Sequence, residues 1–389
     1  MKRTAILVLT LAFVAAGQQP ISPAVPQNNP RADAARSDPQ ADAKRFADIM
    51  ARHQRGEQID PADVRWAMQY QKEHRQGAGP DSPLAVEWRK AHPARDSTGL
   101  VPLPDLGKGT YQGEEGGLYP NGENTPPPAH LKAGRALARQ IAPLDGNGLK
   151  SNDGKIVLLS IGMSNTTMEF QAFQKVAAQE KLNPNLVIVD GAQGGQTAAI
   201  TARAESNFWK VVDDRIEKAG VTAQQVQAAW IKQANGRPTE GFPDAAKKLQ
   251  ADVIGTLHVL HDKFPNLKIA YLSSRIYGGY ALTPLNPEPY AYEGGFAMKW
   301  AIAGQIAGKP ELNYDPKKGE VRSPWIAWGP YLWTDGTKGR KPDGLVWLAD
   351  DCVPADRTHP SDSGREKVAR MLLAFLKTDS TAEPWFVGK

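Results

Sequence analysis

Ile156-Val157-Leu158-Leu159-Ser160-Ile161, followed by Gly162-Met163-Ser164-Asn165-Thr166 and then by Phe170, Phe173 and Val176, decides how the rest of this chain reads. The first six residues are a short, apolar, β-branched run, and the last three recur at helical spacing, so the stretch is strand, turn, helix. The unit repeats downstream. Leu186-Val187-Ile188-Val189 precedes a helix through Phe208, Val211 and Val212; Val226 to Ile231 precedes one through Leu249, Val253, Leu257 and Leu260; Leu267 to Leu272 precedes one over Phe296 to Ile306. A last helix spans Gly364 to Lys377 and buries Val368, Met371, Leu372 and Phe375. Apolar strands without alternation, separated by amphipathic helices, make a parallel sheet covered on both faces. Right-handed crossovers then predict a three-layer α/β/α sandwich.

Upstream, Met1-Lys2-Arg3 and the apolar run Ala5 to Ala16 have the pattern of a secretory signal over residues 1–17. The run is shorter than the roughly 20 residues of a spanning helix. A secreted or periplasmic protein is therefore expected, with no stable membrane insertion after signal removal. Residues 18–40 are rich in Pro, Asn, Ala and Ser and read as a disordered linker. Residues 41–153 begin with a helical pair: Phe46, Ile49 and Met50 at helical spacing, then Asp60-Pro61 opening a second helix with Val64, Ala67 and Met68. From Gly77 to Asp153 the chain is thick with Gly and Pro, and only Leu131 to Ile141 reads as a helix; such a stretch wraps a domain or builds part of a cleft. The α/β domain is expected over 154–378, with a tail at 379–389.

The composition narrows the chemistry. With 389 residues and 41% hydrophobic content, a sizeable α/β core is available. The 47 basic and 42 acidic side chains leave a formal charge of only +5, without a basic run interleaved with aromatics, which argues against a nucleic-acid partner. Cys352, the one cysteine, makes neither an intrachain disulfide nor a Cys-type zinc site, and no metal or other cofactor is expected. His258 and His261 share a helix face, which a solvated surface explains without a metal.

In an open parallel sheet, ligands bind outside the carboxyl ends of the strands. After the first strand, Ser164 stands near a helix N-terminus, where a hydroxyl is exposed and the helix dipole favours an oxyanion, although serine there is also an ordinary cap. After the second comes Asp190-Gly191-Ala192-Gln193-Gly194-Gly195, whose backbone amides can face a developing negative charge or simply make a sharp turn. After the third, Asn235 brings an amide side chain to the same edge; a turn asparagine explains it equally well. Before the last helix, Asp356-Arg357-Thr358-His359 places a carboxylate three residues ahead of an imidazole, a spacing that lets it hold one ring nitrogen so that the other accepts a proton.

These blocks, in this order and at these strand ends, resemble the SGNH (GDSL-like) hydrolase superfamily over roughly Lys155 to Thr378. The resemblance implies a flavodoxin-like SGNH fold and a serine esterase with Ser164, Asp356 and His359 as its catalytic triad. It further implies an oxyanion hole from Ser164, Gly195 and Asn235, with Gly194 as the alternative to its neighbour. Two blocks depart from the family pattern. Gly162-Met163-Ser164 replaces Gly-Asp-Ser, and Gln233-Ala234-Asn235-Gly236 replaces Gly-x-Asn-Asp. The serine loop therefore needs support from elsewhere. The expected substrate is a small-molecule or glycan ester, with acylated carbohydrate favoured by export and by the aromatic segment Trp325, Trp328, Tyr331, Trp333 and Trp347, residues that core packing explains as well. The competing reading is a non-catalytic carbohydrate- or partner-binding protein on the same scaffold.

Overall fold

The computed structural model describes residues 83–387 without a break, together with 39–54 and parts of 60–70. The signal sequence expected at 1–17, the linker up to residue 38, and Pro61, Val64 and Met68 of the second N-terminal helix lie outside the described residues.

Five parallel strands form the central sheet: β1 (Ile156–Gly162), β2 (Leu186–Asp190), β3 (Val226–Lys232), β4 (Ile269–Leu272) and β5 (Trp325–Trp328), in the spatial order β2-β1-β3-β4-β5. Every residue of β1 and β3 is buried. Neither strand alternates because both of its faces are covered. Helices over Pro39–Gln54 and Pro83–Ala91 precede the sandwich, the second in the Gly/Pro-rich stretch where no helix is expected; the longer helices of the sandwich and its wrap are α1 (Pro128–Ala138), α2 (Ser164–Ala177), α3 (Asn207–Lys218), α4 (Asp244–Lys263), α5 (Tyr290–Ile306) and α6 (Asp362–Thr378). Helices α2 and α6 pack together, as do α4 and α5. Right-handed crossovers from β1 out to β2, and back through β3 to β5, put these pairs on opposite faces. The fold is the three-layer α/β/α sandwich expected from the sequence. Among the described residues, no helix is long and apolar enough to cross a membrane.

Four of these strands are expected from the sequence, and β5 is a fifth. Its two tryptophans, with Tyr331, Trp333 and Trp347, are at most 4% exposed. The aromatic segment is core, which removes it as a platform for sugar rings. β5 is an edge strand, and an open edge invites pairing with another chain. Here side chains cap it: His130 Nε2 lies 2.9 Å from Ile326 O, Ile326 N donates to Gln305 Oε1 at 2.8 Å, and Trp328 N donates to Tyr119 OH at 3.4 Å.

His130 and Tyr119 belong to the Gly/Pro-rich extension, which wraps the sandwich. Leu103 is fully buried and its N–H donates to Tyr331 OH at 3.3 Å, while Trp328 Nε1 donates to Leu118 O at 2.6 Å. At the opposite end of the chain the core continues past α6, where Trp385 and Phe386 are buried and the Phe386 ring stacks 6.2 Å from Phe173.

Asp335 fastens the start of this wrap. Its carboxylate accepts from Ser97 Oγ at 2.5 Å, Thr98 N at 2.6 Å, Thr98 Oγ1 at 2.7 Å and Gly99 N at 3.0 Å. Burial works to raise its pKa, but these donors outweigh it and hold the carboxyl below its ordinary range. Asp335→Ala leaves four donors without their acceptor and is expected to cost about 3 kcal/mol in urea unfolding at pH 7. A carboxyl with a depressed folded pKa adds stability above the unfolded value, and that stability is lost as pH falls through the folded one. The gap between wild type and Asp335→Asn is therefore expected to be full at neutral pH and to narrow below about pH 4.

Candidate active site

β1 and β3 are neighbours whose onward connections leave in opposite directions, and open α/β sheets bind ligands outside the carboxyl ends of such a pair. Ser164 follows β1 as the first residue of α2. The residue before it, Met163, has no side chain able to cap the helix, and the first intrahelical bond of this turn runs from Thr167 N to Met163 O at 3.0 Å. The N–H groups ahead of it, starting with that of Ser164, have no partner within the helix, so the positive end of α2 stands open at the serine.

Ser164 Oγ lies 2.7 Å from His359 Nε2, and His359 Nδ1 lies 2.6 Å from Asp356 Oδ2. The other Asp356 oxygen accepts from the backbone N–H of Thr358 at 2.8 Å and of His359 at 3.0 Å. Burial alone would raise the Asp356 pKa; the imidazole and the two amides outweigh it and hold the carboxyl below its ordinary range. An ionised Asp356 accepts the Nδ1 proton, which leaves the Nε2 lone pair facing the serine hydroxyl. The turn is tight: Arg357 has φ +50, unusual for a residue with a side chain, and its guanidinium donates to the Ala349 carbonyl. Leu282 N donates to Asp356 O at 2.9 Å, which pins the turn to the segment after β4.

The other sequence candidates fall beside this pair less evenly. Gly194 is adjacent to the serine: a Cβ built on it would sit 4.0 Å from Ser164 Cβ. Gly195 follows with φ +76, a backbone that favours glycine, and a Cβ placed there would meet nothing within 4 Å. Asn235 is on the same edge, but its Nδ2 donates to Ala245 O at 2.7 Å, so one of its two N–H bonds is committed to α4. His258 Nε2 lies 2.7 Å from Glu311 O, and among the described residues no group of three or more His, Cys, Asp or Glu side chains is placed to hold a metal ion.

Support for the serine loop, which Met163 cannot give, comes from three directions. Thr166 Oγ1 donates to Lys232 O at 2.7 Å, joining α2 to the end of β3. That close approach requires Gly162, where a Cβ would lie 2.4 Å from the same carbonyl. Ser160 Oγ donates to Asp190 Oδ1 at 2.7 Å, Thr167 Oγ1 donates to Asp190 Oδ2, and Gln193 N donates to Gly162 O at 3.0 Å; together they tie the glycine-rich loop to the serine turn. Asn165 Nδ2 donates to Thr358 O at 2.9 Å and so reaches the turn carrying His359. Beneath them Lys232 Nζ and Glu169 Oε1 form a buried ion pair at 2.7 Å. Burial draws the Lys232 ammonium below its ordinary range, and the Glu169 carboxylate opposes that shift. None of these contacts has a local sequence signal, since each joins residues whose proximity only the fold creates.

No protein-family model matches this chain, and no curated protein matches it. Among solved structures, the chain is similar to a Bacillus subtilis protein over 57% of its own length and 56% of that chain, at 10% identity and a TM-score of 0.32. It is also similar to the periplasmic domain of a lipopolysaccharide acetyltransferase from Salmonella ser. Paratyphi A, over 63% of its length and 95% of that chain, at 14% identity and a TM-score of 0.33. A third likeness is to a salicylyl-acyltransferase of a tetracycline biosynthetic pathway, over 60% of this chain and 58% of that one, at 14% identity and a TM-score of 0.29. The chain thus spans little more than half of the first and third, and likeness of this extent transfers no activity.

Proposed function

We propose that this protein is an exported serine esterase of the SGNH (GDSL-like) type, hydrolysing carboxylic esters. The observation that supports it most is the continuous hydrogen-bonded chain from Ser164 Oγ through His359 to Asp356, at 2.7 and 2.6 Å. A binding protein has no need of a base aimed at a hydroxyl.

In the first half-reaction, His359 Nε2 takes the serine proton as Oγ attacks the ester carbonyl, and Asp356 stabilises the resulting imidazolium. The tetrahedral oxyanion is met by the Ser164 N–H, by an amide of Gly194 or Gly195, and by the uncommitted N–H of Asn235. His359 then gives the proton to the departing alcohol, leaving an acyl-serine. In the second half-reaction, His359 deprotonates water, the hydroxide attacks the acyl-serine, and the carboxylic acid leaves as Ser164 recovers its proton. With the tryptophans buried in the core, an acylated carbohydrate is supported only by the export signal, and a small acyl ester is the first substrate to try.

The test is to incubate the wild-type chain with a fluorophosphonate and with p-nitrophenyl acetate. The expected results are release of p-nitrophenol and a single phosphonyl adduct, on the peptide containing Ser164. An adduct elsewhere, or none together with no turnover, overturns the reading.

A further inference from the structure

We infer that Asn165 is a positioning residue that sets the Ser164–His359 distance by bracing the peptide unit that carries the histidine. This rests on the esterase reading above. Thr358 C=O and His359 N–H belong to one peptide plane, and both ends of that plane are held. The carbonyl accepts from Asn165 Nδ2 at 2.9 Å, and the amide donates to Asp356 Oδ1 at 3.0 Å. Asn165 follows the nucleophile directly, and Asp356 is the acid. The plane therefore spans from the serine helix on one side to the carboxylate on the other, and a rotation that moved the His359 backbone would have to break one bond or the other.

Several features set Asn165 apart from an ordinary residue in a first helical turn. It is 1% exposed, whereas polar residues at this position usually serve the helix end or face water. Its side-chain oxygen accepts no hydrogen bond and so caps none of the free N–H groups of α2. The acceptor is a backbone carbonyl, so the amide orientation is fixed with nitrogen toward Thr358, and Asn165 Oδ1 is left buried without a hydrogen-bond partner. A buried, half-satisfied amide is costly to keep. Its one bond is the direct link between the nucleophile's helix and the histidine's turn, apart from the reacting pair itself. The same burial makes Asn165-Thr166-Thr167 unsuited to glycosylation, although it fits the sequon.

Asn165→Leu keeps the volume and removes the donor; Asn165→Asp keeps the shape and places an acceptor against the Thr358 carbonyl. Both are expected to lower kcat for p-nitrophenyl acetate by about 10- to 100-fold, the Asp variant more, because a misplacement of about 1 Å costs up to a hundredfold. KM is expected to stay within twofold, and the fluorophosphonate labelling rate at Ser164 is expected to fall by the same factor as kcat. A merely structural role would instead lower the melting temperature and the active fraction while the remaining enzyme kept its kcat per labelled serine. That outcome overturns the proposal, and so does an Asn165→Leu variant within twofold of wild type. A wild-type chain that neither turns over nor is labelled sinks the esterase reading as well, and is told apart by needing no variant.

Discussion

Ser164→Ala is expected to lower kcat/KM for p-nitrophenyl acetate by about 10⁴-fold or more, which corresponds to about 5.5 kcal/mol or more of transition-state stabilisation. His359→Ala is expected to cost about the same, because a serine without its base is a neutral alcohol and a base without the serine has nothing to deprotonate. The double variant is expected to be no slower than either single one, since the two act as a unit joined at 2.7 Å. Asp356→Ala is expected to fall short of both. The Asp356 carboxylate orients the ring and steadies its cation, yet a free imidazole retains part of its basicity. Additive losses for Ser164 and His359 would mean that the two work separately, and a Ser164→Ala variant at the wild-type rate would end the enzymatic reading. Circular dichroism of each variant checks that the fold survives: Ser164 and His359 meet at the sheet's rim, where truncation leaves no core cavity.

The parts of this molecule that could be read from sequence are those whose signal is local. β1 through β4 are apolar runs bounded by turns, buried in β1, β3 and β4 and half-buried in the edge strand β2, and α6 carries a clear apolar stripe, so fold class follows from periodicity. β5 is not legible because the tryptophans of Trp325-Ile326-Ala327-Trp328 read as part of an aromatic cluster, whereas its strand state depends on β4 alongside and on His130, Gln305 and Tyr119 capping its outer edge. The first turns of α5 were hidden for the opposite reason: Ala291 to Lys299 is buried on every side, so no polar face marks it as a helix. At the site, the Asp356–His359 spacing and the strand-to-helix setting of Ser164 announce themselves in order along the chain. The choice between Gly194 and Gly195, the commitment of the Asn235 amide and the brace at Asn165 do not, because each depends on which way a backbone or amide group points once the loops have met.

Beneath the serine, the buried pair Lys232–Glu169 carries the second large effect. Glu169 lies on α2 with no exposed surface, and Lys232 ends β3 at 1% exposure. Its ammonium is 2.7 Å from Glu169 Oε1, and its carbonyl accepts from Thr166. Lys232→Met leaves a carboxylate buried without the ammonium it pairs with, and Glu169→Met leaves that ammonium without its anion; each is expected to lower unfolding free energy by about 3 to 5 kcal/mol. The Lys232→Met/Glu169→Met double variant is expected to recover part of that loss, because two apolar side chains of similar volume escape the desolvation that both charges incur, while the buried Arg275 guanidinium gives up the Glu169 charge that favours it. Urea unfolding of the four chains closes a double-mutant cycle. A coupling energy near zero would mean that the two charges are solvated independently, which their burial forbids. Recovery of stability in the double variant would show instead that the pair's charges are dispensable for folding, leaving the alignment of α2 against the end of β3, and hence of Ser164, as what they contribute.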